Sequence, residues 1–232
     1  MDDLYWLRTV QYFGGQRAFE KQTRMELLYP LIDITTTLDP RLEMAYRYGA
    51  TFLSEPRPIG AGRPKEGVAV LERGVRALPE SWRLRQDLGF FYHLFLHDSE
   101  KAAQIMREAS KIQGAPAWLL ESIAGDILLE GGDRASSRRM WRQIYEQAEE
   151  GILRNNARIR LQILDALDQA EALMALVDEY QQRTGRRPSA LAELQVAGLL
   201  RVPLTDSTGV AFDYDPSTGR ASLSRSSTLW RP

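Results

Sequence analysis

The 232-residue chain contains no cysteine. That excludes disulfides, thiolate metal centres and cysteine nucleophiles, and it leaves the redox compartment open. Histidine is nearly as scarce, with only His93 and His97. Lysine is confined to Lys21, Lys65, Lys101 and Lys111, so arginine carries most of the positive charge. A formal net charge of −1 gives no global field to attract nucleic acid or an anionic membrane. No apolar run reaches the ~20 residues of a membrane-spanning helix, and no signal-peptide pattern precedes the first apolar face. What is present, 44% hydrophobic and 26% charged residues, is the composition of a globular chain able to bury a sizeable core.

From residue 3 to about residue 184 the apolar residues recur three or four apart, which predicts helices with breaks at Gly and Pro. Leu27, Leu28, Leu31, Ile32 and Ile34 form one such face, with a kink or a new start expected at Pro30. Asp39 and Pro40 read as an N-cap followed by proline in a first helical turn. The helix after them carries Ala45, Tyr46, Tyr48, Gly49, Phe52 and Leu53. The start, in which Asp2 and Asp3 lead straight into Leu4, Tyr5, Trp6 and Leu7, is what a piece of a longer chain would show.

A repeat is visible on top of this periodicity. Gly67, Leu71, Gly74 and Pro79 are spaced small, large, small, proline. Ala102, Met106 and Ala109 repeat the pattern 35 residues on, and Ser136 and Met140 repeat it 34 further, with Gln143 at the last small position. Gly49, Gly89 and Gly125 each precede a large residue by three (Phe52, Tyr92, Leu128), and Trp82 and Trp118 mark corresponding starts. Glycine inside a helix costs roughly 1 kcal/mol against alanine, so three at matching places point to close helix crossings. Over residues 39–150 the chain resembles the tetratricopeptide (TPR) family. The resemblance implies an all-α solenoid of helical hairpins; a non-repetitive helical bundle is the alternative.

Residues 1–38 then read as N-terminal helices and 39–150 as three repeats. Residues 151–184 read as a capping helix, broken near Asp165 to Asp168, that covers the last apolar face. Between the helices of the first repeat lies a shaped insertion, Glu55 to Pro64, with Pro56, Pro58, Gly60 and Gly62. Residues 185–232 add a short helix from Ser189 to Ala197 capped at Gly198, a small β-hairpin and a loose tail that Trp230 can anchor. In the hairpin Val210, Phe212 and Tyr214 alternate, a turn follows from Asp215 to Gly219, and Ala221 and Leu223 alternate back. The order Gly185, Pro188, Leu191, Leu194, Gly198, Leu199, Pro203, Asp206, Gly209, Asp215, Pro216, Thr218, Gly219 resembles the C-terminal region of type II secretion pseudopilins, without their hydrophobic assembly helix. Taken whole, the chain is similar to bacterial TPR proteins with a hydrophobic anchor just before a segment like Trp6-Leu7-Arg8. That resemblance implies a cell-envelope location, periplasmic or membrane-associated, through an anchor this chain lacks; a cytoplasmic location is the alternative.

Few residues offer chemistry. His93 and His97 stand four apart, a spacing that lets two imidazoles share a metal on a helix, yet Leu94 replaces the glutamate of a zinc-protease signature and no third histidine exists. An ordinary polar helix edge is the expectation. Gly60, Ala61 and Gly62, with Arg57, Arg63 and Lys65, would suit a backbone anion nest, the alternative being a plain braced connector. Glu149–Glu150 and Asp165–Asp168 read as solvated faces. The serines of 222–227 have no histidine at motif spacing, so no catalytic site and no cofactor are expected. Arg138, Arg139 and Arg142, with Arg154, Arg158 and Arg160, form a basic stripe. Pairing with Glu146, Glu149 and Glu150 along the helix is the expected reading, and nucleic acid the lesser one.

The expected function is partner binding on a concave face lined by the first helix of each repeat. Aligning Gly49, Gly89 and Gly125 places Tyr46, Ala50 and Leu53 there from the first repeat. Arg83, Gln86, Phe90 and His93 come from the second, and Ser122, Asp126 and Leu129 from the third. The mix of aromatic, arginine and amide groups suits a peptide with an acidic or polar end. Packing of the terminal helices into that groove is the alternative. Three functions follow: a scaffold or assembly factor of a pilus-like or secretion-like apparatus, a constitutive subunit of a larger complex, or a small-ligand or anion binder using the Gly60 loop.

Overall fold

A computed structural model describes residues 2–19, 25–200 and 205–230. Lys21, Pro203 and the end of the tail at Pro232 lie outside the described residues. Among those described, the chain is all-α apart from one two-stranded antiparallel sheet, with ten helices packed in neighbouring pairs. They form two compact units, residues 1–137 and 138–232. No helix among the described residues is long and apolar enough to cross a membrane.

The first unit holds α1 (Asp2–Phe19), α2 (Leu28–Leu38), α3 (Glu43–Ser54), α4 (Pro64–Ala77), α5 (Trp82–Leu96), α6 (Ser99–Ser110), α7 (Ala117–Glu130) and the first turn of α8 (Arg134–Gln147). Local chemistry sets the starts. Pro30 sits in the first turn of α2 and Pro64 opens α4, where a missing N–H costs nothing. Ser81 accepts the Leu84 amide at 3.2 Å to cap α5, and Asp98 accepts the Lys101 amide at 2.9 Å to cap α6. Asp39 does not cap α3: its carboxylate accepts the Arg41 amide in the turn that follows α2, and α3 begins at Glu43.

Consecutive helices pack in sequence, and the contacts between them are close. A Cβ on Gly74 of α4 would lie 2.7 Å from Cγ of the buried Tyr46 on α3, and one on Gly67 would lie 2.8 Å from the Ala50 carbonyl oxygen. A Cβ on Gly89 of α5 would lie 3.2 Å from the Ala102 carbonyl of α6, and the Gly125 carbonyl of α7 accepts the Ser137 hydroxyl of α8 at 2.9 Å. Gly49 is different. Its missing Cβ faces Ile32 of the preceding helix at 3.0 Å, so in the first hairpin the crossing residue is Ala50. The third hairpin is also displaced by one: Ser137, Trp141 and Ile144 are buried, while Ser136 is partly exposed and Gln143 exposed.

Polar clasps span 37 to 40 residues. Arg73 pairs with Asp33 and Arg47 with Asp87, each 40 residues apart. Arg63 donates to the Met25 carbonyl and Ser81 to Glu43, each 38 apart, and His93 meets Glu130 at 37. Among them, Arg73 ties α4 to α2, Arg47 ties α3 to α5, and His93 ties α5 to α7, so each of these joins a helix to the second one along. Across α1, Phe13 stacks on Phe52 of α3 at 3.9 Å between ring centroids.

The second unit is built on α9 (Ile152–Thr184), continuous through Asp165 and Asp168 where a break was expected. Those two carboxylates receive the guanidinium of Arg138 on α8, an interhelical fork that replaces the expected pairing of this arginine along its own helix. Beyond α9 come α10 (Ala192–Val196), shorter than the segment from Ser189 to Ala197, and the pairing of β1 (Asp213–Asp215) with β2 (Arg220–Ser222). Ser189 is diverted from the helix because its amide and hydroxyl both donate to Glu193. Phe212, Ala221, Leu191, Leu194 and Leu229 close a core with Leu173, Val177 and Tyr180 of α9. The tail is tied down through residue 230, because Leu229 is buried and Ser227 donates to Asp206. Burial alone would push the Asp206 carboxyl up. Bonds from Ser227, Thr208 and the backbone amides of Thr208 and Val210 outweigh it and hold the carboxyl below its ordinary range.

Alanine at Gly74 is expected to destabilise the first unit by about 1–3 kcal/mol, because overpacking against Tyr46 exceeds the helix-propensity gain. Alanine at Gly14, where nothing lies within 4 Å, is expected to stabilise it by about 0.5–1 kcal/mol. Thermal midpoints of the two variants moving in the same direction would contradict this. In the second unit, Glu193 is held at about 2 against an ordinary 4.5, first by the Ser189 hydroxyl and then by Tyr180, the Ser189 amide and Arg186. A folded value below the unfolded one stabilises at every pH above about 4.5 and is lost as pH falls towards about 2. Urea unfolding of the wild type is therefore expected to weaken over that window, and Glu193→Gln to flatten the dependence.

Candidate partner-binding face

Helices α3, α5 and α7 each bury one side and leave another accessible. Because crossings pin Ala50, Gly89 and Gly125 inward, the residues three before and one after each of them turn outward together. On α3 that side carries Met44, Arg47, Tyr48 and Thr51; on α5, Arg83, Gln86, Asp87 and Phe90; on α7, Leu119, Ser122, Ile123 and Asp126. All are exposed or half-buried. Arg47 and Asp87 bridge α3 to α5, and His93 Nε2 meets Glu130 Oε2 of α7 at 3.0 Å. The Asp87 carboxylate holds the Arg47 guanidinium above its already high ordinary range, burial opposing and Glu43 assisting.

Tyr46, Ala50 and Leu53 are not part of that face. They are 1%, 0% and 0% exposed, inside the core, with the Tyr46 hydroxyl donating to the Thr36 carbonyl at 3.3 Å. The physical reason is the one-residue displacement of the first crossing, since a step of one residue turns a helix by about 100°. Arg83, Gln86, Phe90 and His93 of α5 and Ser122, Asp126 and Leu129 of α7 are on the less buried sides of their helices. Met44, Arg47, Tyr48 and Thr51 on α3, Asp87 on α5, and Leu119 and Ile123 on α7 are the residues that sequence reasoning missed.

The N-terminal helix does not cover this side of α3. It packs through Trp6 and Phe13 on Phe52, leaving Met44 and Tyr48 each 51% exposed. At the opposite end of the face, His93, His97, Asp98, Ser99, Glu100, Glu130, Gly131 and Asp133 line a cleft of about 530 Å³. His93 Nδ1 sits 3.2 Å from the Ser99 hydroxyl, so a neutral ring with its proton on Nε2 satisfies both neighbours.

The remaining sequence candidates are absorbed by structure. His97 ends α5 as its cap in the left-handed region at φ 54° and lines the same cleft as His93, and no group of three potential metal ligands occurs among the described residues. The Gly60 loop offers no anion nest. Its amides fold back onto α3: Gly60 donates to the Pro56 carbonyl, Ala61 to Phe52, Gly62 to Glu55 and Arg63 to Leu53, at 2.7–3.0 Å. Of the basic stripe, Arg154 lies over the Tyr145 ring, Arg160 over Trp141, and Arg158 donates to Asn155. Compared with protein-family models, with curated proteins and with solved structures, the chain matches none.

A Cβ on Gly60 would lie 2.6 Å and 2.8 Å from the Glu55 and Phe52 carbonyl oxygens. Gly60→Ala is expected to lower stability by about 1–3 kcal/mol. Inorganic phosphate, which protects a protein with an open nest, is expected to leave the wild-type melting temperature unmoved.

Proposed function

We propose that the chain is a protein–protein interaction scaffold or assembly factor of a TPR-like kind, serving a cell-envelope apparatus of bacteria. The observation that supports it is the equivalent outward side of three helices in one unit, presented in register by crossings at Ala50, Gly89 and Gly125. Such a side offers aromatic, apolar and paired polar groups and no set of acid, base and nucleophile on which to base a reaction. The envelope location is supported by the order of residues from Gly185 to Gly219.

A second reading, a constitutive subunit of a larger complex, is favoured by apolar side chains exposed on helices other than α3, α5 and α7. Leu4 and Leu7 on α1 are 48% and 52% exposed, and Val196 on α10 is 90% exposed. Affinity purification of the native protein from membranes, beside Phe90→Ala and Leu7→Ser/Val196→Ser variants, separates the two. The scaffold reading expects a reproducible envelope partner that Phe90→Ala alone releases. Release by the Leu7 and Val196 changes instead favours the subunit, and recovery from cytosol without a partner in every preparation counts against both.

A further inference from the structure

The outward side of α3, α5 and α7 differs in character from end to end. Near the helix starts α7 contributes an apolar surface, with Trp118 53% and Leu119 36% exposed. Of the side's cations there, Arg47 is held by Asp87 and Glu43, while the exposed Arg83 lies over the Trp82 ring at 4.5 Å and keeps its charge. Near the helix ends the side runs into the 530 Å³ cleft, whose walls carry four carboxylates, Asp98, Glu100, Glu130 and Asp133. Asp98 and Asp133 accept backbone amides at the starts of α6 and α8, where the helix dipoles offset part of their charge. Glu100 is exposed and the Glu130 side chain is 66% exposed, so both carry their charge to solvent.

We propose that the segment received by this face is amphipathic and basic at one end. Its apolar side chains cover Trp118 and Leu119, and a lysine or arginine enters the cleft between Glu100 and Glu130. This rests on the interaction reading above and fixes the chemistry of the partner. It also reverses the polarity that the arginines suggest in the sequence, because folding pairs Arg47 with Asp87 and Glu43 and gathers four carboxylates in the cleft. The spacing follows from helix geometry. Leu119 and Glu130 are eleven positions apart on α7, hence about 17 Å. An extended segment spans that distance in about five residues and a helical one in about eleven. Apolar contact supplies affinity, and the charge at one end sets direction.

A displayed library of random peptides, panned against the full chain, tests this. Enriched peptides are expected to carry Lys or Arg at one of those two spacings from an aromatic or aliphatic residue. The best of them should bind Glu100→Lys/Glu130→Lys on the order of tenfold more weakly. Glu100→Lys alone, which leaves the His93–Glu130 contact in place, should show part of the loss, and Glu149→Lys none. Peptides that depend on Phe90 and Leu119 but ignore both charge reversals would overturn the basic end and leave the binding face standing. Binding that ignores every substitution on the face would remove the face itself. A dimer of the free chain, dispersed by Leu119→Ser, would identify a second copy as occupant and equally overturn the proposal.

Discussion

Close approach of helix backbones is the constraint on which the first unit depends. Gly67 lets α4 come up to the Ala50 carbonyl of α3, Gly74 makes room for the Tyr46 side chain, and each glycine sits where a methyl group would collide. Dispersion acts over a few ångströms, so such crossings gain contact that a larger residue forfeits. They also remove a degree of freedom. A helix touching its partner through one small residue cannot rotate without driving a neighbouring side chain into that partner, so its solvent-facing arc is determined. The clasps at 37 to 40 residues, Arg47 with Asp87 and His93 with Glu130 among them, then join arcs already in phase.

That logic explains what could be read from the amino-acid order and what could not. Helical periodicity, the glycine spacing and the hairpin turn with Gly219 were legible because each is a local pattern. Which of two adjacent small residues makes the contact was not. Gly49 stands beside Ala50, and Ser136 beside Ser137, and either member satisfies a spacing rule. The choice is made in space: Ile32 occupies the side of Gly49, and the Gly125 carbonyl takes the hydroxyl of Ser137. One residue of error turned Tyr46, Ala50 and Leu53 from core into an imagined groove.

The second unit is organised differently. Its sheet is too small to be stable alone, and apolar residues of α9 supply one wall of its core. The irregular chain around it is held by carboxylates acting as hubs. Asp206 gathers Thr208, Val210 and Ser227; Asp215 gathers Ser217 and Thr218 and is held at about 2 by their hydrogen bonds; Glu193 gathers Ser189, Tyr180 and Arg186. Loops rich in Ser, Thr and Gly have little apolar surface to bury, so each backbone amide needs a named acceptor. Asp215 with its turn residues was visible in the sequence because the partners are two and three positions away. Asp206 with Ser227, 21 positions apart, was not, and so the tail looked loose.

The same distinction governs the arginines. In the sequence, a chain whose cations are nearly all arginine invites an anionic partner. Guanidinium groups, however, bind internal carboxylates and aromatic rings as readily as external ones, and folding offers internal ones first, without the entropy of association. Arg47, Arg73 and Arg138 are spent on Asp87, Asp33 and the pair Asp165 and Asp168. A residue so engaged contributes geometry to a surface and little net field. The potential a partner meets is therefore set by the groups that folding leaves solvent-facing, and on the first unit these include Glu100 and Glu130. For a chain with a net charge of −1, it is this local remainder after internal pairing, and not the overall composition, that gives a binding face its sign.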